Sequence, residues 1–299
     1  MFVIFLYQYS IIGPDLRQAI LLQQLEQEKA CIFYDVKRRE EEYFPVEGKR
    51  AGAKRAEDFE EAVTKAQDLL FPIPFCKGKR INLSDTKEVT PEELLQLLRP
   101  GQKVFAGAIG KAFEEKAKEK GIICYDYMTE ERIAVFNSIA TAEGTIGEIL
   151  HSFPYNLHGT SVLILGYGRC AKTLARKLKA LDVKVAVYAR RKDASMEAYA
   201  QGAEPVEKEA LLQEMRKYPI VINTIPERIF RGKEIRQLSL ETTIYEIASY
   251  PYCMDPKEAE KYRVKFRICP GLPGKYSPVS SALILKEYIT SQTMGEEKF

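Results

Sequence analysis

The fold of this protein is decided by ten consecutive residues, Val162-Leu163-Ile164-Leu165-Gly166-Tyr167-Gly168-Arg169-Cys170-Ala171. Four apolar residues in a row predict a short strand that is covered on both faces, as in a parallel sheet. The six residues that follow read G-x-G-x-x-A, one form of the dinucleotide-binding fingerprint. Because this motif lies between a predicted strand and a predicted helix, it indicates a Rossmann unit.

Each position of the motif has a physical purpose. Gly166 permits a tight turn, Gly168 lets the backbone approach a pyrophosphate, and Ala171 keeps the helix close to the strand. The N-terminus of the helix then offers free N–H groups to the phosphates. A glycine turn with only a structural role is the alternative. The predicted cofactor contacts are the whole turn: Gly166, Tyr167, Gly168, Arg169, Cys170 and Ala171.

The end of the next predicted strand indicates which dinucleotide is bound. An NAD enzyme usually places a carboxylate there to hold the ribose 2′-hydroxyl, whereas this chain reads Ala189-Arg190-Arg191. The planar guanidinium group is suited to a 2′-phosphate. The sequence therefore favours NADP over NAD, the alternative being that both arginines are ordinary surface charges.

A third segment is expected at the same site. Asn223-Thr224-Ile225-Pro226 directly follows an apolar strand. Ligands of open α/β sheets bind outside the carboxyl ends of the strands. We therefore expect Thr224, Ile225 and Pro226 near the nicotinamide or its ribose, unless the segment is an ordinary turn ended by proline.

Outward from this unit the chain alternates short apolar runs with helical patterns, which predicts an α/β protein with parallel sheets. The fold class is two doubly wound parallel-sheet domains joined by long linker helices, the second being a Rossmann dinucleotide-binding domain. Residues 1–130 are expected to form a flavodoxin-like substrate domain against which a C-terminal helix, 279–299, packs back. Residues 131–278 hold the linker helix and the NADP-binding domain. Strands are predicted at 2–12, 30–34, 68–71, 104–106, 122–125, 162–165, 183–188, 220–222, 243–247 and 264–268, and residues 36–60 are predicted as a loop or ragged helix.

Composition narrows the classes of function. The 299 residues carry a net charge of +3, too weak a bias to indicate nucleic-acid binding. The six cysteines include no C-x-x-C pair, so no metal site is expected. The apolar start of the chain has no basic residue before it and is too short to span a membrane, so it is predicted to be a buried strand. These features indicate a cytoplasmic protein.

Several longer motifs resemble the A subunit of dipicolinate synthase. The more specific ones are the linker stretch N-S-I-A-T-A-E-G at 137–144 and P-G-L-P-G-K-Y-S-P at 270–278. Further matching segments run in the family's order from residue 13 to residue 278. They are Gly13 to Gln18, Phe71 to Pro74, Asp126-Tyr127, Gly166 to Ala171, Asn223 to Pro226 and Ala248 to Pro251.

The resemblance implies an oxidoreductase that converts a dihydrodipicolinate-type ring to pyridine-2,6-dicarboxylate, with hydride passing to NADP. It also implies a partner, the B subunit of dipicolinate synthase, and a role in sporulation in the mother-cell cytoplasm. The sequence is also compatible with a homo-oligomer. The chain departs from the family at Pro14, in a G-G-D motif, and at Tyr252-Cys253, where the family tends to have glycines. The second departure is expected to put bulk beside the nicotinamide.

A dianionic substrate needs cations and N–H or O–H donors. Arg17 lies at a predicted helix start, and Lys275 lies in a glycine-flanked segment that we expect to be a loop. Glu143, on the linker helix, is the best-placed carboxylate for the proton, although water is an alternative acceptor. The predicted substrate-binding residues are Arg17, Asn137, Ser138, Thr141 and Ser249, and the predicted catalytic residues are Glu143 and Lys275.

Two other functions compete with this one. A dehydrogenase for 2-hydroxy acids or alanine is one alternative, but a hydroxy-acid enzyme needs a histidine late in the nucleotide domain, and none follows His158. The second is a nucleotide-binding protein that scaffolds or regulates a partner without catalysis, because fold alone does not fix function.

Overall fold

The computed structural model describes residues 5–37, 51–84 and 88–294. The chain divides into two compact units, one made of residues 1–136 and 277–299 and the other of residues 137–276. The long helix that contains the predicted linker runs from Glu131 to Ser152 and so contributes to both.

The first unit alternates strands and helices. Its elements, in chain order, are β1 (Tyr7–Ile12), α1 (Leu16–Leu25), β2 (Cys31–Tyr34), β3 (Ala53–Arg55), α2 (Phe59–Thr64), β4 (Ala66–Leu70), the hairpin strands β5 (Cys76–Lys77) and β6 (Arg80–Ile81), α3 (Pro91–Leu97), β7 (Lys103–Ala106), α4 (Lys111–Glu119), β8 (Ile123–Asp126), the start of α5 (Glu131–Ser152), and the last helix (Pro278–Met294).

Apart from the hairpin, the strands of this unit form one six-stranded parallel sheet in the order β3-β2-β1-β4-β7-β8. Counted along the chain without the hairpin, this is the order 3-2-1-4-5-6 of the dinucleotide-binding fold. The five strands other than β3 follow the order 2-1-3-4-5 of the expected flavodoxin-like topology. The edge strand β3, in the segment predicted as a loop or ragged helix, adds a sixth strand outside β2.

Both faces of this sheet are covered. One face packs against α2, α3 and α4 through residues such as Val63, Leu94 and Phe113. The other face packs against α1 and the C-terminal helix, where Leu21 and Leu285 share one core cluster. Burial on both faces explains why the central strands read as continuous apolar runs.

The second unit repeats the architecture. Its elements are the remainder of α5, then β9 (Ser161–Leu165), α6 (Arg169–Ala180), β10 (Lys184–Tyr188), α7 (Lys192–Ala200), β11 (Glu204–Val206), α8 (Leu211–Glu214), β12 (Ile220–Asn223), β13 (Thr243–Glu246), α9 (Pro256–Lys261), β14 (Lys265–Ile268) and α10 (Leu272–Tyr276), so that the C-terminal helix is α11. The sheet order is β11-β10-β9-β12-β13-β14, again all parallel.

This sheet order confirms the predicted Rossmann topology of the second unit. The strand order reverses between β9 and β12, so the crevice for a ligand lies outside their carboxyl ends. The segments that follow β9, β10 and β12 are the three that the sequence assigns to the cofactor. The fold therefore places them along one edge of the sheet.

All ten predicted strands are present, with ends shifted by a few residues. The predicted start of the first strand, residues 2–4, and residues 38–50 of the segment 36–60 lie outside the described residues. Besides the hairpin strands β5 and β6, two strands of the six-stranded sheets were not predicted, β3 and β11. Each has three residues and lies at a sheet edge, where half-exposed side chains produce no apolar run.

Candidate functional site

The turn after β9 requires glycine at its first position. Gly166 has a φ of +100°, and its N–H donates to the carbonyl oxygen of Tyr188 at 2.8 Å. A Cβ at this position would lie 2.3 Å from Oγ1 of Thr224 and 2.9 Å from Ile225. Backbone conformation and crowding therefore both exclude a side chain here.

Gly168 is different, because its Cβ would meet no atom within 4 Å. It is the N-cap residue of α6, and no side chain caps that helix end. The N-cap residue therefore offers no side-chain oxygen to the first turn of α6, in the position where a pyrophosphate would bind. Gly168 keeps this approach open, while Ala171 is fully buried against the sheet.

The other residues of the turn differ in exposure. Tyr167 is buried, and Nζ of Lys172 lies 5.7 Å from the centre of its ring. Arg169 is exposed. Cys170 is half-buried, and burial raises the pKa of its thiol although a hydrogen bond with Thr141 opposes this. The thiol therefore behaves as a small packing group at this helix start.

The segment after β12 is fixed against the glycine turn. The N–H and Oγ1 of Thr224 both donate to the carbonyl oxygen of Leu165, at 2.9 and 2.8 Å. Nδ2 of Asn223 donates to the carbonyl oxygen of Ile225 at 2.9 Å, and its Oδ1 accepts from the Ile225 N–H at 3.1 Å. Thr224, Ile225 and Pro226 therefore form one rigid side of the crevice at the β9–β12 switch point.

A carboxylate that the sequence reasoning missed holds this segment. Glu246, at the end of β13, is 1% exposed. Its oxygens accept from Nδ2 of Asn223 at 2.8 and 2.9 Å, from the Ala248 N–H at 3.0 Å and from the Cys253 N–H at 2.7 Å. Burial raises the pKa of Glu246, and these hydrogen bonds oppose the increase. The sequence feature that could have identified Glu246 is an acidic residue at the end of an apolar strand.

The chain departs from the family at Tyr252-Cys253, and of these two residues Cys253 does not add the expected bulk. This side chain is fully buried in the core beneath the sheet edge, and its N–H is bound to Glu246. Cys253 therefore adds no exposed bulk. Tyr252 is half-buried with its ring 5.7 Å from that of Tyr250, which is 75% exposed.

The segment after β10 carries two exposed arginines, each with an acidic partner. Nη1 of Arg190 lies 2.5 Å from Oε2 of Glu227, and Nη2 of Arg191 lies 3.2 Å from Oδ2 of Asp193. Ala189 is half-buried at the strand end. Glu227 was not predicted, because it is 37 residues from Arg190 in sequence.

Arg17 lies in the first unit, at the carboxyl edge of its own sheet. It is 4% exposed and follows the N-cap residue Asp15 of α1. Its Nε donates to Oδ1 of Asp15 at 2.9 Å, and Nη2 donates to the carbonyl oxygen of Ile73 at 2.9 Å. Burial alone would raise the pKa of Asp15, but the hydrogen bonds and charge of Arg17 hold it below its usual value.

The predicted residues of α5 in the second unit mostly bind neighbouring helices. Ser138 is buried with its hydroxyl 3.2 Å from that of Thr173 on α6. Oγ1 of Thr141 donates to the carbonyl oxygen of Asn137 at 2.7 Å. Glu143 is exposed and pairs with Nζ of Lys177 at 2.8 Å. Asn137 is half-buried, and Ser249, beyond β13, is exposed.

Lys275 does not lie in a loop, as the glycines suggested, but on the short helix α10. Proline is tolerated in a first helical turn, so Pro273 does not prevent helix formation there. Nζ of Lys275 forms an ion pair with Glu148 and lies 5.1 Å from the ring centre of Tyr276. This ion pair raises the pKa of Lys275 and lowers that of Glu148.

The described residues contain no group of three or more side chains able to hold a metal ion. Within that same part of the chain, no helix is long and apolar enough to cross a membrane.

Fold and site define a two-domain protein whose second domain is of the nicotinamide-dinucleotide-binding type. Residues 132–228 match the family model of the D-isomer specific 2-hydroxyacid dehydrogenase NAD binding domain. Residues 8–128 match the family model of the N-terminal domain of the dipicolinate synthase A subunit. The sequence resemblance to that A subunit is thus confirmed in the first domain.

Similarity to that protein extends over nearly the whole chain. The dipicolinate synthase A subunit of Bacillus subtilis (strain 168) is 28% identical over 287 residues, which cover 94% of each protein. The crystal structure of the B. subtilis protein matches with a TM-score of 0.75 at 26% identity, over 96% of both chains. The crystal structure of the Bacillus halodurans A subunit matches with a TM-score of 0.74 at 26% identity, over 95% of this chain and 97% of that one.

Proposed function

We propose that this chain is the NADP-dependent oxidoreductase component of an enzyme that converts a dihydrodipicolinate-type ring to dipicolinate. The observation that carries the proposal is the open approach at Gly168 beside the uncapped N-terminus of α6. This arrangement suits the pyrophosphate of a dinucleotide. The substrate class is taken from the relatives, which are named as the A subunit of dipicolinate synthase.

Aromatisation of a dihydropyridine ring removes one hydride and one proton. NADP, when bound, supplies the hydride acceptor. The protein has to orient the ring and hold its two carboxylates, because the gain in aromatic stability drives the reaction. Arg17 suits a carboxylate, since its guanidinium is held in place by Asp15 and the carbonyl oxygen of Ile73.

The remaining assignments follow the exposure of each side chain. Asn137 and Ser249 are accessible and retain their proposed role in substrate binding. Ser138 and Thr141 are proposed to act through the position of α5 on α6, because their hydroxyls contact Thr173 and Cys170 of α6, respectively. Glu143 and Lys275 are proposed to take up the proton and bind a carboxylate, respectively, after leaving their ion-pair partners Lys177 and Glu148.

The choice of NADP rests on Arg190 and Arg191, the groups after β10 that suit a 2′-phosphate. The relatives are named as one subunit of a synthase, which supports a complex with a second component. We propose that this component is the B subunit of dipicolinate synthase. The same relationship supports a role in sporulation and a location in the cytoplasm of the mother cell.

One observation favours a second function, a nucleotide-binding scaffold without catalysis. Both predicted catalytic side chains, Glu143 and Lys275, are ion-paired and at least half exposed rather than enclosed. A scaffold of this kind binds the dinucleotide and never changes its redox state.

The test is a turnover assay with NADP and freshly made dihydrodipicolinate precursor, with and without the B subunit. The proposal predicts that NADPH and dipicolinate form together in equal amounts. The matched control is Gly168→Val, which should abolish both products. If the wild-type chain binds NADPH but forms neither product under either condition, the scaffold function replaces the enzyme.

A further inference from the structure

An ion pair spans the carboxyl edge of the second sheet. Arg190 follows β10 and Glu227 follows β12, and β9 lies between these two strands. The 2.5 Å contact between Nη1 of Arg190 and Oε2 of Glu227 therefore crosses the end of β9, where the glycine turn begins. Any dinucleotide bound at the switch point has to accommodate this pair.

The segments that carry the two partners both contact the glycine turn. The N–H of Glu227 donates to the carbonyl oxygen of Ile225 at 2.8 Å, which closes a three-residue turn around Pro226. Ile225 itself packs against Gly166. On the other side, the carbonyl oxygen of Tyr188, two residues before Arg190, accepts the N–H of Gly166. The two charges are thus held near each other by the turn that would bind the pyrophosphate.

Acidic side chains lie close to both arginines of this segment. Arg190, Glu209 and Glu227 all act on the phenol of Tyr188, whose pKa is raised chiefly by burial. Arg191 is paired separately with Asp193 at 3.2 Å. Both arginines that suit a 2′-phosphate therefore already have a carboxylate partner, and that of Arg190 comes from a different segment of the fold.

We propose that Glu227 lowers the affinity for NADP relative to that for NAD by competing with the 2′-phosphate for Arg190. NAD carries no such phosphate and leaves the ion pair in place. NADP has to draw Arg190 away from Glu227, and the loss of this ion pair opposes binding. The inference rests on the proposed dinucleotide site, but it concerns the ratio of the two affinities rather than which one is larger in the wild type.

The test is a set of dissociation constants for NADP and NAD at low ionic strength, where exposed charges are least screened. The proteins are the wild type, Glu227→Gln, Arg190→Gln and the double variant. Glu227→Gln should shift the affinity ratio toward NADP by about two- to fivefold, the range expected for an exposed ion pair. In the Arg190→Gln background, the same change should shift the ratio by less than about twofold.

The matched control is Glu241→Gln, which removes the same charge from an exposed side chain before β13, at the opposite edge of the sheet. It should leave the ratio unchanged. The proposal is overturned if Glu227→Gln leaves the ratio within about twofold of the wild type, or shifts it equally without Arg190. A wild type that prefers NAD contradicts the NADP assignment alone. A wild type that binds neither nucleotide contradicts the site and the inference together.

Discussion

The ring of Tyr276 occupies the space in which a side chain of Gly147 would lie. A Cβ on Gly147 would be 2.7 Å from Cε1 of that ring, and a Cβ on Gly144 would be 2.9 Å from Cβ of Leu272. The two segments that carry the most specific sequence resemblance, on α5 and on α10, therefore contact each other directly. Their residue types are linked by packing as well as by any role in binding.

This contact predicts that Gly147→Ala destabilises the protein. Overpacking against the Tyr276 ring should lower the free energy of unfolding by about 1–3 kcal/mol. The higher helix propensity of alanine should offset up to about 1 kcal/mol of this loss. In a Tyr276→Ala background the ring is absent, and the same substitution should be neutral or stabilising. Chemical denaturation of the four proteins measures both values. Equal effects in the two backgrounds would contradict the packing explanation.

The two glycines of the phosphate turn should respond differently to alanine. Gly166→Ala introduces a side chain at a φ of +100° and 2.3 Å from Thr224, so it should lower the free energy of unfolding by about 2–3 kcal/mol. Gly168→Ala meets open space and should lower it by only about 1 kcal/mol or less, because alanine is a poorer N-cap residue than glycine. Thermal unfolding of both variants provides the comparison. A large loss of stability in Gly168→Ala would show that this position is not open.

Replacing Arg190 and Arg191 together with glutamine should weaken NADP binding far more than NAD binding. Loss of the charge-assisted bonds to the 2′-phosphate should cost about tenfold or more in affinity. Titration with each nucleotide measures the two losses. Equal losses for NADP and NAD would show that neither arginine contacts the 2′-phosphate.

Arg17→Gln should raise the apparent constant for the substrate and leave nucleotide affinity unchanged. It also leaves Asp15 without its buried partner, which should cost about 3 kcal/mol of stability. The double variant Asp15→Asn/Arg17→Gln removes both charges and separates the two effects. It should recover part of the stability but not the substrate affinity. An unchanged substrate constant in either variant would remove Arg17 from the site.

The same pair predicts a dependence of stability on pH. Because Arg17 holds the pKa of Asp15 below its usual value of 3.8, the pair stabilises the fold fully above that pH. The stabilisation is lost as the pH falls through the lower pKa of the folded state. The difference in unfolding free energy between the wild type and Asp15→Asn should therefore shrink below about pH 4. A difference that stays constant down to about pH 2 would contradict this.

The central strands and the glycine turn could be predicted because their physical constraints are local. A strand buried on both faces requires apolar residues throughout, and a tight turn into a helix requires glycine, as at Gly166. These constraints act only weakly on the edge strands β3 and β11. Pro205 even lies within β11, which is compatible with an edge strand alone.

The polar contacts of the site could not be predicted, since they join residues distant in sequence. Glu246 reaches Asn223 from the neighbouring strand, and Glu227 reaches Arg190 across β9. Lys275 was assigned to a loop from its glycine neighbours, but Gly274 is buried in a short helix that packs against α5. In each case, tertiary packing decides what a polar or glycine residue contacts.

The most direct test of the dinucleotide site is titration of the wild type and Gly168→Val with NADPH, followed by the fluorescence of the bound nucleotide. The open space at Gly168 predicts that the variant folds, with about 1 kcal/mol of stability lost at the N-cap of α6. It should lose NADPH binding, because its side chain occupies the approach of the pyrophosphate. Unchanged NADPH affinity in a correctly folded Gly168→Val would contradict the assignment of this turn.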